Sequence, residues 1–234
     1  MNVQDTVRNF VKALEHCQNM VVVHRAVGDG GRGRRVEETS LNRGVVVFAA
    51  ATWQAFVQDL AMALRDATLV QLQAATAPPL LTGAMRQWET DFNSSLEKFS
   101  TPGPGQTQTL LRRVGFDPKP TWTWQQRAGG KKVRVTPNQV DAAMRQWLDV
   151  RHGVAHGHAV LPAVAVLQAV RDRPLLGTGQ PSPNVRLSDA IDCMRFFRAV
   201  VKVTADAAAA YIGQPAPPWP YEVPMVLGLD PAKL

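Results

Sequence analysis

The sequence predicts an all-α helical bundle with long irregular loops. Three observations carry that reading. Apolar residues recur every three or four positions along several long stretches. One of them, residues 45–64, is apolar nearly all the way round a helix, which suits the centre of a bundle. Clusters of proline and glycine separate the stretches. With 234 residues and 45% hydrophobic content the chain can bury a core of its own. Residues 1–213 read as a single helical domain and residues 214–234 as a proline-rich tail. No internal repeat or second domain boundary is visible.

Val3, Val7, Phe10, Val11, Leu14 and Cys17 place a first helix over about residues 3–26. Gly28 to Arg35 then reads as a glycine- and arginine-rich connector, with a loop that wraps a phosphate backbone as the alternative. The valines from Val45 resemble a strand, but Ala49, Trp53, Phe56, Val57, Leu60 and Leu64 keep helical spacing and decide for one long helix. Pro78-Pro79 closes it. A second amphipathic segment, residues 80–99, puts Leu81, Met85, Trp88, Phe92, Leu96 and Phe99 on one face. After the turn-rich residues 100–105, a short helix covers 106–114. Residues 116–134, with two prolines, two tryptophans and Gly129-Gly130, read as an irregular loop.

Thr136-Pro137 is a helix start: a hydroxyl N-cap, proline at the first position, and Gln139 where a capping box needs it. Val140, Met144, Trp147 and Leu148 continue that helix to Arg151. Residues 160–186 form a connector with a short apolar piece. Residues 187–189 cap a last long helix, 190–212, and Gly213 onward carries the prolines of a surface-hugging tail.

Twenty-six Lys and Arg against nineteen acids give a net charge of +7 and favour an anionic partner such as nucleic acid. Cys17 and Cys193 lack CxxC spacing and are too few for a thiolate metal site, which fits a reducing compartment. The N-terminus has no signal-peptide core, and the run Val45–Trp53 is too short to span a bilayer. The expectation is a soluble, cytoplasmic protein with no membrane contact.

The densest chemistry lies in Asp149-Val150-Arg151-His152-Gly153-Val154-Ala155-His156-Gly157-His158. A guanidinium holds phosphate oxygens and an imidazole moves protons near neutral pH, a combination suited to a phosphodiester. At 100° per residue, Arg151 and His156 lie about 140° apart on a regular helix, whereas His152 and His156 share a face. A distorted helix end, or a second copy across a two-fold axis, would bring Arg151 and His156 together. The alternative is structural: a C-terminal histidine favoured by the helix dipole, and Arg151 in an ion pair with an acid such as Asp149. His152, His156 and His158 have a zinc-like spacing, but no nearby Glu or Cys completes a ligand set, so no metal or cofactor is expected. Arg43, Arg127, Lys131 and Lys132 are candidate RNA-binding cations. Trp122 and Trp124 either stack on bases beside them or anchor their loop.

Arg151-His152-Gly153-Val154-Ala155-His156-Gly157 resembles the arginine, four residues, histidine signature of the HEPN superfamily. The polar residue after the arginine and the Ala-His-Gly ending are both typical of it. Leu41-Asn42-Arg43-Gly44 through Trp53-Gln54-Ala55-Phe56 resembles the buried helix of the RiboL-PSP-HEPN type. Phe99-Ser100-Thr101-Pro102, with Leu110-Leu111 and Gly115, resembles its middle part. Together these cover about residues 40–160. The residue after the tryptophan is usually glutamate in that family and is Gln54 here, which puts a carboxylate role at that place in doubt. The resemblance implies a metal-independent endoribonuclease of the toxin or phage-defence kind, with Arg151, His156 and His152 as its catalytic residues. It further implies RNA as partner, a homodimer with the site at the two-fold interface, and an antitoxin protein as a possible regulator. The alternative is a catalytically silent RNA-binding or scaffold module.

Overall fold

Residue chemistry at Val45–Leu64 sets the architecture. In the computed structural model this stretch is the middle of a 39-residue helix, α2 (Val36–Ala74). Its buried apolar positions, Val45, Val46, Ala49, Ala50, Trp53, Phe56, Val57, Leu60, Ala61, Ala63 and Leu64, fall on one broad stripe, as helical periodicity requires. The structure describes residues 1–27, 36–74, 79–100, 102–172 and 183–234. The glycine- and arginine-rich stretch 28–35, Pro78, Thr101 and the middle of the 160–186 connector lie outside the described residues.

Four other long helices and two short ones make up the rest of the described bundle. α1 (Val3–Val27) lays Val3, Val7, Phe10, Leu14, Cys17 and Val21 against α2. α3 (Pro79–Glu97) leads to α4 (Pro104–Arg112), whose first turn takes in Pro104 and Gly105. α5 (Pro137–Ala155), the short α6 (Gln168–Arg171) and α7 (Leu187–Tyr211) complete the set. α2 touches α1, α4, α5 and α7, so it is the central helix. Indole packing locks the middle: Trp53 stacks on Phe56 and on Phe197 of α7, and its Nε1 donates to the Pro102 carbonyl at 2.8 Å.

α2 is not apolar-buried all round. Phe48 is 53% exposed, and Ala51 and Ala55 continue that outer line. Its segment Glu38–Leu72 has the length and hydropathy of a membrane span, a property the shorter run Val45–Trp53 does not foretell. Burial against the neighbouring helices accounts for much of that apolar character.

Several expectations are corrected. Residues 124–135 are a β-hairpin, not an irregular loop: β1 (Trp124–Ala128) pairs antiparallel with β2 (Lys131–Val135). Gly129 and Gly130, with φ of 56° and 79°, supply the two left-handed residues of a tight hairpin turn. The first half of α3 is exposed, including Leu81, because no described element covers that end of its apolar face. The cap of α7 is Arg186 rather than 187–189; Asp189 accepts from the Arg186 N–H at 2.8 Å and from the Gln168 N–H at 2.7 Å. The tail does more than hug the surface. Leu227 and Leu229 join the core, clamped by Gln126, whose amide accepts from Leu227 N–H and donates to Leu229 C=O.

Candidate functional site

α5 carries the arginine and histidines, and its two ends are built differently. Its start is a capping box: Thr136 Oγ1 accepts from Gln139 N–H at 3.4 Å, and Thr136 N–H donates to Gln139 Oε1 at 2.9 Å. Its end is a Schellman turn. His158 N–H donates to Gly153 C=O at 2.9 Å and Gly157 N–H to Val154 C=O at 3.1 Å, with Gly157 at a φ of 64°. A side chain at Gly157 would be strained in that left-handed conformation.

That turn gathers the histidines. His156 is the C-cap, and its ring centroid lies 4.2 Å from that of His152. His158 is folded back so that its ring is 5.7 Å from His152 and 6.1 Å from His156. All three are exposed. Gly153 makes room for the returning chain: a methyl group there would sit 3.2 Å from Leu161 Cδ2 and 3.4 Å from Pro162 Cδ. Sequence spacing alone leaves His158 outside the set. The signal that places it inside is Gly157, read as the residue that reverses the chain after a C-cap.

Arg151 behaves differently from the histidines. It is half-buried, its Nε is buried without a hydrogen-bond partner, and its guanidinium has no ion pair among the described residues. Asp149, one turn from His152, is exposed and does not pair with it. The helix stays regular to Ala155, so Arg151 and His156 keep their separate directions within one chain. The distorted-end route to convergence is therefore not taken.

The expected RNA-binding cations are dispersed. Arg43 is half-buried and its Nη2 donates to Asn184 Oδ1 at 3.3 Å, tying the start of α2 to the segment before α7. Arg127 and Lys132 are cross-strand partners on the outer face of the hairpin, with Lys131 beside the turn, all exposed. The hairpin joins α5 at its start, about 28 Å from the histidines at 1.5 Å per residue. Trp122 and Trp124 are buried, and Trp122 Nε1 donates to Thr204 Oγ1 at 3.1 Å, so both anchor the hairpin and neither offers a face to a base. Gln54 is structural: its amide, like that of Gln58, donates to the Phe99 carbonyl.

Neither cysteine belongs to a site. Burial pushes the Cys17 thiol up to about 12 and the Cys193 thiol well above its ordinary value, so both stay protonated in the core. Among the described residues no group of three His, Cys, Asp or Glu side chains is disposed to hold a metal ion.

Comparison of the chain with protein-family models, curated proteins and solved structures finds no match.

Proposed function

We propose that the chain is a metal-independent endoribonuclease that works as a homodimer, of the toxin or phage-defence kind. The observation that supports this best is the pairing of two exposed imidazoles, His152 and His156, with centroids 4.2 Å apart, directly after an arginine whose Nε has no hydrogen-bond partner among the described residues. Two adjacent imidazoles provide what strand cleavage needs: one group to take the 2′-hydroxyl proton and one to give a proton to the departing 5′-oxygen. Attack by the 2′-oxygen on phosphorus breaks the P–O5′ bond and leaves a 2′,3′-cyclic phosphate and a 5′-hydroxyl. His156 is the principal acid–base group and His152 assists it. Arg151 binds the phosphate and stabilises the charge of the pentacoordinate transition state. Because Arg151 and His156 point apart in one chain, each site draws its arginine from one protomer and its histidines from the other. An antitoxin protein covering this face is the matching form of control.

A second reading, a silent RNA-binding module, draws on Gln54. An amide that donates to Phe99 C=O does a structural job that a glutamate would do badly, since a carboxylate there would face a carbonyl oxygen. Cleavage of a single-stranded RNA in EDTA separates the two. The ribonuclease reading expects cyclic-phosphate products from the unaltered protein and a loss of roughly 10²–10⁴-fold in His156→Ala. Undiminished cleavage by His156→Ala, or no cleavage by the unaltered dimer, sinks it.

A further inference from the structure

A second basic feature lies on the same face of α5, apart from the histidines. The end of α3, the outer side of α4 and Arg145 of α5 enclose an open cleft of about 590 Å³. Lys98, Arg113 and Arg145 line it together with the hydroxyls of Ser95 and Thr109, and no carboxylate is among its lining residues. Lys98 and Arg113 are exposed and have no ion-pair partner among the described residues. Arg145 shares one edge, its Nε, with Asp141 Oδ1 at 2.6 Å, which fixes the guanidinium at the mouth. Three cations and hydroxyl side chains, with no carboxylate in the lining, are suited to phosphate oxygens.

Helix geometry relates the cleft to the histidines. His152 is seven residues beyond Arg145 and His156 eleven, so both lie within about 20° of it around the axis. At 1.5 Å per residue the cleft stands about 10 Å from His152 and about 16 Å from His156 along one exposed stripe. A strand bound with its scissile phosphate at the histidines runs along this stripe, which is where flanking phosphates need cations. The hairpin cations Arg127 and Lys132 are exposed cross-strand partners and do not line this cleft.

We infer that the cleft of Lys98, Arg113 and Arg145 is a subsite for a backbone phosphate of single-stranded RNA, about 10–16 Å from the cleaved bond. The inference rests on the ribonuclease reading for the direction of the strand, but binding to the cleft needs no cleavage. Asp149 is the one carboxylate on α5 between Arg145 and His152, and it weakens the track by repelling phosphate.

The test is fluorescence-anisotropy binding of a labelled decauridylate to the full chain carrying His156→Ala, over a series of salt concentrations. Adding Lys98→Ala and Arg113→Ala together is expected to weaken binding about tenfold or more at low salt and to lower the salt slope by about 1.4, near 0.7 per lost contact. Arg127→Ala with Lys132→Ala, an equal loss of charge, is expected to cost much less, and Asp149→Asn is expected to tighten binding severalfold. Unchanged decauridylate affinity overturns the subsite, as does an equal loss from the hairpin pair. If the unaltered dimer cleaves nothing while the cleft variant alone loses decauridylate binding, the subsite stands and the ribonuclease reading falls.

Discussion

The two ends of α5 use the same kinds of side chain in opposite ways. At its start nearly every polar group is matched. The capping box closes on itself, and Asp141 is held between Arg145 Nε at 2.6 Å and Lys119 Nζ at 2.9 Å. At its end Arg151 makes no ion pair among the described residues and leaves its Nε without a hydrogen-bond partner, and three histidine rings cluster. Matched polar groups are what stability requires of a helix start. Uncommitted ones, kept at an exposed end by a Gly157 turn, are what a binding or catalytic site requires. On the proposed reading, stability belongs to one end of the helix and chemistry to the other. That division can be broken by a substitution at either end that gives the other end's phenotype.

The largest expected effect belongs to the chemical end and tests whether it is complete in one chain. Arg151→Ala and His156→Ala are each expected to lower RNA cleavage by roughly 10²–10⁴-fold while leaving the thermal midpoint nearly unchanged. Mixed in equal amounts and allowed to exchange protomers, the two inactive proteins are expected to regain about a quarter of the unaltered activity. Half the dimers are then mixed, and each has one intact site of two. Measured cleavage after mixing decides the point. No recovery, in proteins shown to exchange, places each site within one chain and removes the two-fold argument.

How much of this was legible in the sequence differs between the same two ends. Thr136-Pro137 with Gln139 announced the helix start, because capping chemistry is local. The divergence of Arg151 and His156 followed from 100° per residue alone. His158 was not legible, since its position depends on the left-handed Gly157 and on the close approach of Leu161 to Gly153. The cleft was not legible either, because Lys98, Arg113 and Arg145 meet only through the packing of three helices. The hairpin was missed for a related reason. Its inward positions are Trp124 and Gln126, and a buried glutamine spoils the apolar alternation unless its partners, Leu227 and Leu229 about a hundred residues on, are known. For α3 the periodicity of Leu81 and Met85 was real. Periodicity reports an apolar face, and the described elements cover only its second half, at Phe92 and Phe99.

The stabilising end carries the next effects. Asp141→Ala is expected to cost about 1–2 kcal/mol in denaturant unfolding, since two charge-assisted hydrogen bonds go but Lys119 and Arg145 can still reach water. The same change frees Arg145 toward the cleft, so decauridylate binding is expected to strengthen while stability falls. A matching loss of RNA binding would break the division between the two ends. Thr136→Ala removes the cap and is expected to cost about 1 kcal/mol, with cleavage per folded molecule unchanged. Circular dichroism melts and cleavage assays on the same preparation check both halves of that statement.

The smallest expected effect is a slope in pH, and its sign tells one carboxylate from another. At Asp141 burial pushes the carboxyl up, but the hydrogen bonds from Arg145 and Lys119 outweigh it and hold the group below its ordinary value. A depressed carboxyl contributes stability that is present above the unfolded value, about 3.9, and is lost as pH falls through the lower folded one. At Asp189 burial dominates over the N–H groups of Arg186 and Gln168 and raises the carboxyl. That contribution is fully present below about 3.9 and fades as pH rises through the raised value. Unfolding free energy measured between about pH 3 and pH 6 therefore contains opposed terms, with Asp66 and Asp117 on the side of Asp141 and Asp192 on that of Asp189. Asp141→Asn is expected to flatten the acid-side loss, and Asp189→Asn to remove a decline on the other side. If Asp141→Asn leaves the acid limb as steep as before, the ion pairs at the start of α5 do not hold that carboxyl, and the stabilising end of the helix loses its clearest mark.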